Sequence, residues 1–175
     1  SSSAAIGAMQ IVKIFGLKTI GVSRTLKKEK ELRSIGYDEV LALEDENFEK
    51  NILDVTHGVG FDLSYDCVGG SHFVKLVNTV KARGLIVNYG NLNLDYSKIY
   101  TLPLLGKRIH LRFHSIFDTM RFEDQRKEGV NWVNDQMNKG NLKPIISKTF
   151  DLNEIVEAHK YIGEGNQLGK TVVTT

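Results

Sequence analysis

Apolar and polar positions along the chain switch repeatedly between a helical period and a strand period. Over residues 4–15, Ile6, Met9, Ile11, Val12, Ile14 and Phe15 are spaced as on a largely buried helix, and Gly16 stands where a left-handed cap would end it. A β-prone run follows over 19–22, and then the charged stretch 27–33 predicts a surface helix closing at Gly36. The same reading gives a strand over 40–43, a helix over 46–55, a strand over 61–65, a helix over 71–81 and a strand over 85–89. That last strand is nearly continuous in apolar residues, the pattern of a strand covered on both faces. Beyond Gly90 the regularity loosens into a loop through Pro103, a strand over 109–113 and a helix from about 122 to 137. A short strand at Thr149 and Phe150, a helix over 153–162 capped by Asp151 or Asn153, and a strand over 171–174 complete the chain.

Strict strand and helix alternation with short connections predicts right-handed crossovers, hence an α/β fold with a doubly wound parallel sheet. No repeat, low-complexity stretch or interdomain linker interrupts it, so the 175 residues are expected to form one domain. Lysine and arginine number 23 against 21 aspartates and glutamates, a balance that argues against a nucleic-acid or membrane-surface role. Cys67 is the single cysteine, which rules out an internal disulfide and a multi-cysteine zinc site and suits a reducing, cytoplasmic setting. No apolar run reaches membrane-spanning length. The sequence opens on Ser1, Ser2, Ser3, Ala4 and Ala5 without a methionine, directly into a helix, and reads like a piece cut from a longer protein.

In a doubly wound sheet ligands bind beyond the carboxyl ends of the strands, and four places qualify. The first is the start of the opening helix, where free N–H groups, the helix dipole and the hydroxyls of Ser1 to Ser3 could receive a pyrophosphate alongside Ala4 and Ala5. The glycines of a full G-x-G-x-x-G are missing there. The second is Ser23, Arg24 and Thr25, with Lys28 close behind, where NAD-binding domains carry an acid for the ribose 2′-hydroxyl. A basic, hydroxylated position suits a 2′-phosphate instead, which points to NADPH; Lys27 and Lys30 read as solvated surface charge.

The third place is Asp66, Cys67, Val68, Gly69 and Gly70, where paired glycines would let backbone lie against a ribose or adenine. The Cys67 thiol itself reads as packing. The fourth is Asn88, Tyr89, Gly90 and Asn91, whose glycine could pass the nicotinamide, with Phe113 ending the next strand. His110, Arg112 and His114 share one face of that strand, but two histidines without a carboxylate are a poor metal set, and no metal ligand or catalytic residue is assigned.

In combination these motifs resemble the medium-chain dehydrogenases/reductases, and within them the zinc-independent quinone-oxidoreductase and 2-enoyl thioester reductase branch. Gln10, Ile11, Lys13 and Gly16 resemble the family's first helix; Leu32, Gly36 and Asp38 its second crossover; Asp66 to Gly70 and Asn88 to Gly90 its fourth and fifth strand exits. Glu157, Ala158 and His159, then Gly169, Lys170, Val172 and Val173, resemble its closing helix and strand, so the likeness covers nearly the whole chain.

The resemblance implies a Rossmann-like NADPH-binding domain over 1–175, with Ser2, Ser3, Ala4 and Ala5 at the dinucleotide turn and Arg24 and Lys28 holding the 2′-phosphate. It further implies that the sheet's first strand and an N-terminal substrate domain are absent, and that two copies pair through strand 109–113 as a homodimer. The expected activity of the longer protein is hydride transfer to a quinone or enoyl thioester, the piece alone being inactive. A noncatalytic NADPH-binding regulatory module is the alternative. The cofactor domain of a zinc-type alcohol dehydrogenase ranks below it, and a methyltransferase, opposed by Arg24, ranks last.

Overall fold

The computed structural model describes residues 2–165 and 167–175. The chain divides into two compact units, one of Ser1–Gly21, Lys27–Val40 and Gly129–Thr175 and the other of Val22–Leu26 and Leu41–Glu128. The chain passes back and forth between these two units.

In the first unit, α1 (Ser3–Ile14) buries Ile6 and Met9 against Leu32 of α2 (Glu29–Ser34), Tyr37 and Val40. Ile35, Ile145 and Leu168 pack around this cluster. Polar side chains lock its rim. Lys13 Nζ lies 2.5 Å from Asp38, whose other oxygen accepts from the Thr19 backbone N–H at 2.7 Å and from the Thr19 hydroxyl at 2.9 Å. Held by the Lys13 ammonium first and the Thr19 N–H second, the Asp38 carboxyl titrates at about 2, below its ordinary range. The Tyr37 hydroxyl donates to the Ala5 carbonyl at 3.0 Å, and burial pushes this phenol up to about 12. Gly21 is required by close approach, since a Cβ there would sit 2.9 Å from the Tyr37 ring.

At the far end of the same unit, β6 (Ile146–Asp151) pairs in parallel with β7 (Lys170–Thr174), joined by α8 (Ile155–Gly163). Asp151 and Glu154 form the reciprocal cap at the entry to α8: Asp151 Oδ1 accepts from the Asn153 N–H and Glu154 Oε2 from the Asp151 N–H, each at 2.9 Å. Asp151, of the two candidates in the sequence, is the capping residue.

The second unit is built on the parallel sheet β3 (Phe61–Asp66), β4 (Val80–Asn88) and β5 (His110–Phe113), in that order. Phe73 and Val77 of α4 (Phe73–Thr79) pack on Val80 and Ile86, with Leu104, Ile109 and Leu111 around them. Phe48 and Ile52 of α3 (Phe48–Val55) are buried as well.

Strands β1 (Ile20–Ser23) and β2 (Glu39–Ala42) form a separate two-stranded sheet. Its hydrogen bonds climb in step, Glu39 N–H to the Thr19 carbonyl at 3.1 Å and Leu43 N–H to the Ser23 carbonyl at 2.8 Å, as parallel strands require.

Several boundaries differ from the sequence reading. The helix expected to reach residue 81 ends at Thr79, because Val80 turns extended and enters β4 without a loop. Lys107 Nζ accounts for this, donating to the carbonyls of Val77, Asn78 and Val80 at 3.2, 2.6 and 3.1 Å and so satisfying carbonyls that the helix end leaves open. The stretch read as a loop through Pro103 holds α5 (Thr101–Lys107), with the proline in the first turn where no N–H partner is needed. A further short helix, α6 (Ile116–Arg121), precedes α7 (Glu123–Asn138).

Candidate functional site

The sheet of the second unit sets Asp66, Asn88 and Phe113 in one row, since Asp66 is in register with Asn88 and Asn88 with Phe113. All three are at or beside the carboxyl ends of their strands, where this class of sheet presents ligands. Asp66 organises the turn that follows. Its Oδ1 accepts from the Val68 N–H at 2.9 Å, and its Oδ2 from the Gly69 N–H at 3.1 Å and the Asn88 amide at 3.0 Å. The same amide donates to the Gly90 carbonyl at 2.9 Å, tying the β3 and β4 exits together.

Leu92 N–H and Asn93 N–H close the loop onto the Cys67 and Val68 carbonyls at 2.9 and 3.0 Å. Gly69 and Gly70 take φ of 63° and 64°, and the Asn91 and Asn93 side chains occupy the space a Cβ at either would need. The glycine pair is thus demanded by the turn itself, whichever ligand it meets.

Cys67, Val68, Gly69, Tyr89, Gly90 and Phe113, all named from the sequence, lie at this one end of the sheet. Gly90 runs close under Cys67, so that a Cβ at this position would stand 3.3 Å from the Cys67 Cβ. Tyr89 stacks on Tyr65, ring centroids 4.0 Å apart at 18°. Burial, then a hydrogen bond with Cys67, holds the Tyr89 phenol above its ordinary range. A cleft of about 490 Å³ opens beside these residues, lined by Asn88 to Asn91, Phe113, His114, Ser115 and Asp118. Phe113 is 71% exposed at its mouth. Tyr65 and Asp118 escape sequence reading: Tyr65 looks like an ordinary strand residue, and Asp118 rides on α6, a six-residue helix too short to show a helical period.

At the exit of β1 the ladder continues one step past the strand, from the Glu44 N–H to the Arg24 carbonyl at 3.2 Å. Ser23 Oγ donates to the Thr25 carbonyl at 2.6 Å, shaping the bend. The Arg24 guanidinium is largely exposed and meets Glu44 Oε1 at 3.9 Å. In the first unit, Lys28 Nζ donates to the Gly165 and Gln167 carbonyls, both at 3.1 Å, so the sequence candidate for a phosphate ligand also fastens a distant loop.

Ser2 caps α1, its Oγ accepting from the Ala5 N–H at 3.3 Å, and the first turn holds no acidic side chain that would repel an anion there. Ser3 and Ala4 fill that turn; Ser1 lies outside the described residues. Among the described residues no three of His, Cys, Asp or Glu converge as a metal site, and no helix is long and apolar enough to cross a membrane.

Parallel strands with interleaved helices, and glycine turns gathered at strand carboxyl ends, define a Rossmann-type α/β protein. Residues 35–173 match the family model described as zinc-binding dehydrogenase, and the chain belongs to that family, the medium-chain dehydrogenases/reductases. Among the described residues no set of side chains fits the zinc of the family's description.

The acryloyl-coenzyme A reductase of Sulfurisphaera tokodaii is 30% identical over 176 residues, covering 99% of this chain and 48% of the relative. A 2-haloacrylate reductase of a Burkholderia species is 26% identical over 160 residues, 90% of this chain and 48% of the relative. In fold, the chain superposes on Escherichia coli quinone oxidoreductase complexed with NADPH at a TM-score of 0.84 and 21% identity, over 99% of this chain and 56% of the other. The chain spans about half the length of the curated relatives it matches.

Proposed function

We propose that the chain is the NADPH-binding part of an oxidoreductase that passes hydride to a quinone or an enoyl thioester. The observation that carries this reading is Arg24: a largely exposed guanidinium, on backbone held by the hydrogen-bonded exit of β1, at the kind of strand exit where an acid would select a free ribose hydroxyl. Ser23, Arg24 and Lys28 receive the 2′-phosphate in this proposal. Ser2, Ser3, Ala4 and Ala5 offer the start of α1 to the pyrophosphate. Cys67, Val68 and Gly69 lay backbone against ribose and adenine, while Tyr89, Gly90 and Phe113 flank the nicotinamide. The bound cofactor supplies the hydride; these residues bind, orient and exclude water.

No catalytic residue is assigned within the chain. The acid or base and the substrate pocket belong, in this reading, to an N-terminal domain that also carries the first strand of the sheet, in keeping with relatives about twice as long. On its own the chain then binds cofactor without turnover. The outer edge of β5 is the proposed homodimer contact, presenting exposed His110, Arg112 and Phe113; sedimentation at micromolar protein giving a clean monomer rejects it. The proposed setting is the cytoplasm, which cell fractionation checks.

Titration of NADPH and NADH tests the central claim. Arg24→Ala is expected to weaken NADPH by about tenfold to a hundredfold, the worth of charge-assisted hydrogen bonds to a phosphate, and to leave NADH within about twofold. Equal binding of the two cofactors by the unaltered protein overturns the reading.

A further inference from the structure

The exit of β2 lies beside that of β1 and carries Glu44, Asp45 and Glu46 in succession. These acids are not equivalent. Asp45 spends its carboxylate on the start of α3, accepting from the Asn47 N–H at 2.8 Å and the Asn51 amide at 3.1 Å. Glu44 is aimed the other way. Its backbone N–H is bonded to the Arg24 carbonyl, so the two residues are held side by side, and its Oε1 comes within 3.9 Å of Arg24 Nε. An exposed pair at that distance is weak, which matters here: it can be displaced, but it must be displaced before the guanidinium can turn both of its N–H edges to a phosphate.

We propose that Glu44 is a specificity-determining residue that restrains the preference for a 2′-phosphorylated dinucleotide by holding Arg24 as a counter-charge. The proposal rests on the NADPH reading above. A 2′-phosphate arriving at Arg24 brings negative charge up to the Glu44 carboxylate, so binding needs the side chain to swing away and the old pair to break. A nucleotide with a free 2′-hydroxyl meets neither cost. Glu44 therefore narrows the gap between the phosphorylated and unphosphorylated forms without contributing a bond to either.

The test measures binding of 2′,5′-ADP, 5′-AMP, NADPH and NADH to the unaltered protein, Glu44→Gln, Arg24→Ala and the double variant. Glu44→Gln is expected to tighten both phosphorylated ligands by about three- to fivefold, the scale of an exposed ion pair, and to leave the other two within about twofold. In the double variant the gain should vanish, because the partner through which Glu44 acts is gone. A gain of the same size from Glu46→Gln would show a diffuse acidic field and overturn the assignment to Glu44. So would a full gain in the double variant, or weaker NADPH binding in Glu44→Gln. If Arg24→Ala discriminates between the cofactors and Glu44→Gln changes nothing, this inference fails and the function reading stands. If Arg24→Ala leaves discrimination untouched, the NADPH reading itself falls.

Discussion

At the exit of β3 the Asp66 carboxylate accepts two backbone N–H groups and the Asn88 amide, all within 3.1 Å, so its charge is spent inside the turn. At the exit of β1 the Arg24 guanidinium stands largely in solvent, 3.9 Å from the Glu44 carboxylate. The two exits follow the same kind of strand, yet one invests its polar groups in its own shape and the other keeps a charge in reserve. A removed side chain should therefore cost stability at the first and ligand choice at the second.

The largest effect is expected at Asp66. Asp66→Ala strands two N–H groups and an amide that the carboxylate now satisfies, and should lower stability by about 2–4 kcal/mol in urea unfolding. An unchanged midpoint would mean that water replaces the carboxylate freely, and the comparison would lose its first half. Arg24→Ala comes next. It should leave the unfolding midpoint within about 0.5 kcal/mol, as for other exposed charges, while NADPH binding falls as given above. If Arg24→Ala destabilised the protein as much as Asp66→Ala, the second half would go.

A smaller effect tests the polar rim of the first unit. The Asp38 carboxyl, held by Lys13 and Thr19, titrates at about 2 rather than its ordinary 3.8. Because the folded value is the lower one, the stabilisation is present above the unfolded value and is lost as pH falls from about 4 toward 2. The pair is partly exposed, so solvent screening leaves roughly 1 kcal/mol of it. Asp38→Asn should flatten the acid limb of a stability profile over that window; an unaltered limb would assign acid sensitivity elsewhere.

Much of this organisation is legible in the sequence, because the strands and the Asp66 to Gly70 turn are local patterns: apolar runs ending in residues that only a sharp turn accommodates. The start of α8 is equally local, since Asp151 and Glu154 are three residues apart. What the sequence hides is long-range. Lys107 ends α4 from about 30 residues away, and Lys28 reaches carbonyls more than 130 residues on. Glu44 is 20 residues from Arg24 along the chain and becomes its neighbour through the parallel ladder alone. The short helices α5 and α6 span seven and six residues, too few for a helical period to show; α5 follows Tyr100, which is no capping residue, and the Ser115 that precedes α6 makes no side-chain cap bond.

The smallest effect probes whether the β3 exit is as self-contained as its hydrogen bonds suggest. Tyr65 contributes a ring that covers one face of Tyr89, and stacked aromatic pairs are worth about 0.5–1.5 kcal/mol beyond the area they bury. The ring, not the hydroxyl, makes the contact, so Tyr65→Phe should behave like the unaltered protein and Tyr65→Ala should not. Burial keeps the Tyr89 phenol above its ordinary range, and a raised value of this kind contributes stability that is complete below the unfolded value near 10 and fades as pH rises beyond it. Uncovering the ring lets water solvate the phenolate, so Tyr65→Ala should bring the spectrophotometric titration of Tyr89 down toward the ordinary value and shrink that alkaline loss. If Tyr65→Phe shifted the titration as far as Tyr65→Ala does, the hydroxyl would be the active part, and the exit of β3 would share the polar openness of the exit of β1.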